Sequence, residues 1–156
     1  MSMTIDLHLV YELDVKSSTK EAFELLSDVP RSASHYPKLD HLEDLGKNAY
    51  RWEMEPVGSG PVHLQTVYAS KYVSNKSKGT VTWTPVAGEG NARVAGSWAI
   101  TAQPSCTRLV LTIDGSVDLP LPGLMKAVAE PIVALEFESL TEQYLESIAH
   151  TLGGEV

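Results

Sequence analysis

The side chains best suited to move protons or bind a metal in this chain are five histidines, His8, His35, His41, His63 and His150. No two of them stand at the i, i+4 or HxH spacing that preorganises a metal site, so the sequence predicts no metal centre. His35 and His41 flank Tyr36 and Asp40 in a polar stretch and read as surface-loop residues. His63 alone lies in a strand-like segment whose pattern allows it to face an interior. Cys106 is the single cysteine. It follows Pro104 and Ser105 in a turn, which leaves neither a disulfide nor a CxxC motif, and no GxSxG elbow offers a serine nucleophile. Gly58-Ser59-Gly60-Pro61 and Gly88-Glu89-Gly90 are expected to be hairpin loops, because neither leads from a strand into a helix N-terminus where a phosphate would sit. No cofactor motif is present. The carboxylates Glu130, Glu136, Glu138, Glu142 and Glu146 mark the solvated side of a helix, and Arg93 and Asp114 fall on the solvent parity of their strands.

The elements that must hold these groups come from a chain of 156 residues, 43% of them apolar and 21% charged. That is enough to bury a core without staples, and one domain over residues 1–156 is expected. A net charge of −8 argues against a nucleic-acid surface and against anionic membrane as the main partner. No apolar run approaches the roughly 20 residues of a membrane span, and the first ten residues lack the pattern of a secretory signal. With a lone cysteine, the expectation is a cytoplasmic protein without stable membrane insertion, either monomer or dimer.

Thr4 to Val15 alternates apolar and polar residues and predicts a long half-buried strand. Ser18 and Glu21 have the spacing of a capping box ahead of Ala22, Phe23, Leu25 and Leu26, a short helix that Asp28-Val29-Pro30 ends. A second turn of helix is expected over Arg31 to Pro37. From Leu39 to Val117 the pattern is strand-like, with segments at 39–45, 49–57, 62–73, 79–86, 91–102 and 107–117 and turn chemistry between them, Ala87 to Gly90 included. The apolar face is clear in 49–57 and 107–117. In 62–73 the two parities are nearly equal in apolarity, and the pattern does not choose the inward one. After Leu119-Pro120-Leu121-Pro122-Gly123 the period becomes helical, with Val133, Phe137, Leu140, Tyr144, Ile148 and Leu152 in one stripe. Pro131 fits either the first turn of that helix or a kink after a leading piece at 124–130.

A strand, two short helices, six antiparallel strands and a long closing helix form an uncommon order. With the opening VYELDVKSSTKEAFELLSDV, the turn Ser105-Cys106-Thr107-Arg108-Leu109 and the ending LPLPGLMKAVAEPIVALEFESLTEQYLESIAHTL, the chain resembles the START-like (SRPBCC) superfamily. That group includes the birch pollen allergen, polyketide cyclases, quinone-binding proteins and lipid-transfer domains. The resemblance implies an α+β helix-grip fold, a curved antiparallel sheet of about seven strands wrapped around the C-terminal helix. It implies function only by class.

A bent sheet closed by a helix leaves a volume between them. Mid-strand Gly96 and Gly115 fit such a bend, and Trp52, Trp83, Trp98, Tyr68 and Met54 would wall it with aromatic and apolar surface. The expected function is binding of a hydrophobic small molecule such as a lipid, a quinone or an aromatic polyketide. Tyr36, Trp52, His63, Tyr68, Trp83, Trp98, Phe137 and Tyr144 are the expected contacts. A cyclase or dehydratase is the alternative, with His63, Gln65, Thr66, Tyr68 and Tyr11 as its candidate polar groups. A protein-interaction module of the same fold is a further one, which would have a filled core and an exposed apolar patch.

Overall fold

The computed structural model describes residues 3–59 and 62–156, with the side chains of residues 57–64 outside that description. β1 (Met3–Val15) buries Ile5, Leu13 and Val15 and exposes Asp6 and Glu12, following the alternation in its sequence. The chain then enters α1 (Thr19–Ser27) through the expected capping box. Ser18 Oγ accepts the Glu21 N–H at 3.2 Å and donates to the Glu21 carboxylate at 3.2 Å. Asp28 ends this helix and caps the next, α2 (Val29–Ala33), where it accepts the Arg31 N–H at 3.3 Å. The second helix therefore begins before Arg31 and ends before Tyr36-Pro37. Pro30 is tolerated in its first turn because the missing N–H would have had no intrahelical partner there.

Six further strands complete the main sheet, and a short hairpin stands apart from it. In chain order they are β2 (Leu39–Gly46), β3 (Ala49–Met54), β4 (Val57–Ser59), β5 (Val62–Leu64), β6 (Val67–Asn75), β7 (Thr80–Gly90), β8 (Ala92–Ala102) and β9 (Thr107–Leu119). The seven-stranded antiparallel sheet has the order β1-β9-β8-β7-β6-β3-β2, and β4 pairs only with β5. Two expected strands are thus each divided. The segment 49–57 breaks at Glu55-Pro56, since a proline cannot donate to a ladder. The segment 62–73 breaks at Gln65-Thr66, where the Thr66 carbonyl accepts the Met54 N–H at 3.0 Å. Gly58 and Ser59 lie in β4 and not in a loop.

Ala87 to Gly90, expected as a loop, belongs to β7. Tyr68 pairs with Gly90 and Ser70 with Pro85, so β7 carries extra residues across this stretch and bulges away from β6. Gly90, at φ +73°, closes the bulge: a Cβ there would stand 1.9 Å from the Val67 carbonyl oxygen. Beyond Trp83 the β7 ladder to β8 ceases, and Ser70 Oγ donates directly to the Val94 carbonyl at 2.8 Å.

The long helix α3 (Lys126–Thr151) follows a single 3-10 turn at Gly123–Met125. Pro131 lies inside this helix, so the leading piece and the main piece are one element. Its inner side buries Val133, Leu140, Tyr144 and Ile148 against the concave face of the sheet. After Gly153-Gly154 the last residues return to β1, where the Val156 N–H donates to the Asp14 carbonyl at 3.0 Å. On the outer face Arg93 grips Asp118 through both terminal nitrogens at 3.0 Å, and His8 pairs with Asp114. Both charges expected at the solvent are there.

The two mid-strand glycines do different work. A Cβ on Gly96 would meet the Trp83 ring and the Thr112 carbonyl oxygen at 2.5 Å, so Trp83 lies directly on bare backbone. A Cβ on Gly115 meets nothing nearer than the Arg93 carbonyl oxygen at 3.5 Å. Gly96→Ala is expected to destabilise the fold by about 1–3 kcal/mol through forced displacement of Trp83. Gly115→Ala is expected to be near neutral, and urea unfolding of the two variants checks the contrast.

Candidate functional site

Between the concave face and α3 the side chains leave about 100 Å³ in which the centre of a water molecule fits. Several waters or one small ring system fill a space of that size. The opening is two-sided. Leu7 and Leu9 of β1, Val94 of β8, and Leu111, Ile113 and Val117 of β9 supply an aliphatic wall. Beside them, starting from Trp98, the cross-strand partner of Leu111, the aromatic residues form a continuous series. Trp98 tilts on Tyr144 at 6.2 Å, Tyr144 on Tyr36 at 5.2 Å, Tyr36 meets Trp52 edge-on at 6.0 Å, and Trp52 stacks on Tyr68 at 5.7 Å and 12°. Tyr72 extends the series to Trp83 at 5.5 Å.

These rings come from distant elements, and local chemistry holds each one. Gly96 gives Trp83 its bed. The Trp52 indole N–H donates to the Tyr72 hydroxyl at 3.1 Å. Tyr144, from α3, shares a hydrogen bond with Ser32 of α2, and the Tyr36 hydroxyl lies 3.4 Å from Thr141 Oγ1. In each case a polar tip is satisfied inside the protein while the ring faces the cavity.

Of the sequence-predicted contacts, Tyr36, Trp52, Tyr68, Trp83, Trp98, Phe137 and Tyr144 all line this one cavity. The side chain of His63 lies outside the described residues. Among the polar candidates Thr66 lines the cavity and Gln65 does not. Gln65 is exposed and donates from its side-chain amide to the Met54 carbonyl at 3.3 Å. Tyr11 is half-buried away from the lining. His35 bonds Thr151 Oγ1 at 2.7 Å and the Arg31 carbonyl at 2.9 Å, a surface role at the end of α3.

Sequence reasoning missed Tyr72, Ser32 and Thr141. Tyr72 shares the parity of Thr66 and Tyr68, a signal that becomes readable once the break at Gln65-Thr66 is known. Ser32 and Thr141 sit in helices far from their tyrosine partners in sequence, and no local pattern marks them. On the β2–β3 hairpin His41, Glu43 and Glu53 bring ligand-type atoms within 4.8 Å of one another. This is a cross-strand arrangement that spacing along the chain does not show, and Glu53 is already engaged by Arg51 at 3.3 Å.

No aspartate, glutamate, lysine, arginine or histidine lines the cavity among the described residues. Its ionisable groups are phenols held neutral by burial. Burial pushes the Tyr144 phenol up to about 12, with the Ser32 hydrogen bond partly offsetting it. Burial likewise raises Tyr36, and lifts Tyr68 and Tyr72 well above the ordinary phenol value. These hydroxyls donate and accept hydrogen bonds near neutral pH; they do not act as bases.

No protein-family model matches the chain, and no curated protein sequence does. Solved structures do. The Zhui aromatase/cyclase from a Streptomyces species aligns over 95% of this chain and 94% of its own, with a TM-score of 0.71 and 15% identity. A START superfamily protein from Mycobacterium smegmatis aligns over 94% and 97%, with a TM-score of 0.68 and 15% identity. The major latex-like protein 151 from Panax ginseng aligns over 95% and 98%, with a TM-score of 0.61 and 13% identity. Likeness at this level of identity establishes the fold, which is the α+β helix-grip fold of the START-like superfamily. No helix among the described residues is long and apolar enough to cross a membrane.

All six tyrosines of the chain have raised pKa values, so the folded state keeps phenolic protons that the unfolded chain gives up above about pH 10. Their contribution to stability is therefore complete below that pH and is lost as pH rises through the folded values. Melting temperature is expected to be flat with respect to these groups between pH 7 and 9 and to fall above pH 10. Tyrosinate absorbance of the buried phenols should appear together with unfolding. Full tyrosine ionisation in a still-folded protein contradicts this account.

Proposed function

We propose that this START-like domain binds a hydrophobic small molecule between the curved sheet and α3. The observation that carries the reading is the unfilled opening of about 100 Å³, walled by aromatic rings and aliphatic side chains. A plain core would be expected to close such a space, because empty volume forfeits contacts at every lining atom. Flat apolar ligands recover those contacts through stacking on Trp52 and Tyr68 and burial against Leu111 and Ile113.

Binding is favoured over catalysis because the described lining offers no group that titrates near neutral pH. A cyclase of the kind named among the structural neighbours would need such a group or a set of polar atoms converging on the substrate. Of the sequence candidates for it, Thr66 and Tyr68 line the cavity, and the side chain of His63 lies outside the described residues. The interaction-module reading calls for a filled interior, and the opening weighs against it.

Native mass spectrometry of the protein purified from its own cells tests this directly. The expected result is a stoichiometric mass increment that denaturation removes and that extracts into organic solvent. Uptake of an apolar probe should quench the fluorescence of Trp52, Trp83 and Trp98, all the tryptophans of the chain, with an affinity that does not change between pH 6 and 9. A protein that is isolated empty and binds no apolar probe would refute the proposal.

A further inference from the structure

Charge, wall stiffness and volume together limit what the cavity can hold. Its lining among the described residues includes no cation to compensate a buried carboxylate or phosphate. Next to the lining, Lys38 follows Tyr36 by two residues, but its ammonium stands 4.0 Å from the Glu136 carboxylate beside Phe137. On the β1 side, Glu142 and Glu138 of α3 help to raise the Tyr11 phenol, so the charge near that edge is negative. The walls are fixed as well. Trp83 rests on bare backbone at Gly96, the Trp52 N–H donates to Tyr72 at 3.1 Å, and Tyr144 and Tyr36 are tied to Ser32 and Thr141. A ligand that widens the space must break these bonds or drive rings into packed neighbours. The space itself is about 100 Å³, against about 150 Å³ for an apolar cavity that takes up one benzene. Leu7, Leu9 and Phe137 line it and are only half-buried, so it continues towards the surface there.

From these three constraints we infer that the ligand is an uncharged aromatic molecule of one or two fused rings. The inference rests on the binding proposal above and narrows it. Flatness follows from the walls: Trp52 and Tyr68 stack at 12°, and a planar body lies on such a surface where a branched one leaves gaps. Size follows from a volume that the hydrogen-bonded rings do not allow to grow. Neutrality follows from a lining without cations and from carboxylates on the neighbouring face of α3. Free fatty acids, phosphorylated metabolites and four-ring skeletons are thereby disfavoured as occupants of the cavity.

Three probes separate charge from size: naphthalene, 2-naphthoate and pyrene, each measured by equilibrium dialysis at pH 8. Residues 57–64 contain one ionisable side chain, His63, and at that pH a histidine of ordinary pKa is uncharged. Naphthalene is expected to bind. 2-Naphthoate, which differs by one carboxylate, is expected to bind at least about a hundredfold more weakly. Pyrene has two more rings, and full burial of their surface would tighten binding more than about tenfold over naphthalene. The fixed walls are expected to hold it at or below the affinity of naphthalene. Phe137→Ala removes a half-buried lining ring and should let pyrene bind about tenfold more tightly than naphthalene. If 2-naphthoate binds as well as naphthalene, if pyrene binds the parent protein more tightly than naphthalene does, or if Phe137→Ala retains naphthalene without admitting pyrene, the inference fails while the binding proposal stands. A Phe137→Ala chain that does not fold leaves the three probes on the parent protein to decide. If none of the three binds, the binding proposal falls and takes the inference with it.

Discussion

One helix cannot cover the concave face of a seven-stranded sheet, and this mismatch of widths governs the interior. α3 presents a stripe of Val133, Leu140, Tyr144 and Ile148, about one helix diameter wide. The curved sheet facing it offers apolar side chains from every strand between β1 and β3. The chain answers by folding α1 and α2 over one end and by filling the remainder with rings. Rings are stiff and flat, so they meet edge to face and stack, but they do not flow into every gap. The opening is what remains when large planar side chains line a surface too wide for its lid.

The aromatic series also explains why the polar tips of the site look as they do. Each tyrosine that reaches inward carries a hydroxyl that must be satisfied away from water. Ser32, Thr141 and Trp52 supply partners for Tyr144, Tyr36 and Tyr72. These bonds fix ring orientations, which keeps the cavity walls in place without any charge inside. Among the described residues the ion pairs lie outside the cavity, and on the outer face of the sheet Arg93–Asp118 and Arg108–Asp14 cross between strands. There the carboxylates are held below their usual range by the guanidinium hydrogen bonds and remain in contact with solvent. In the strands that carry these two pairs, charge pairing and cavity chemistry are thus kept on opposite faces.

Much of this was readable from the residues. The alternation in β1 and β9, the capping box at Ser18 and the helical stripe in α3 are local patterns, and each produced the element it predicts. The aromatic lining was legible because Trp52, Trp83 and Trp98 share the inward parity of well-patterned strands. β6 was not legible, for a physical reason: Ala69 and Ser70 are both buried, so a period of two cannot show which face is inside. Arg51, opposite Ala69 on β3, reaches across to Glu89 of the β7 bulge at 3.4 Å, and Ser70 bonds to β8 on the other side. A strand enclosed on both faces has no amphipathic signature. The same blur concealed Tyr72 and joined β5 to β6. The partners of the buried tyrosines were invisible because hydrogen bonds between remote elements leave no trace in spacing.

The pairing of β1 with β9 has a consequence for how the protein is made. It runs without a break from Met3 opposite Leu119 to Val15 opposite Thr107. β1 therefore pairs with a strand synthesised roughly a hundred residues after it, and such distant contacts slow folding because a long loop must close first. Until β9 emerges, β1 is an alternating apolar strand with both edges bare, the kind of segment that associates with other chains. α3 follows β9, so the lid over the cavity forms last, after the walls are in place. The interval between the two strands then bears on the yield of folded protein alongside the stability of the finished fold.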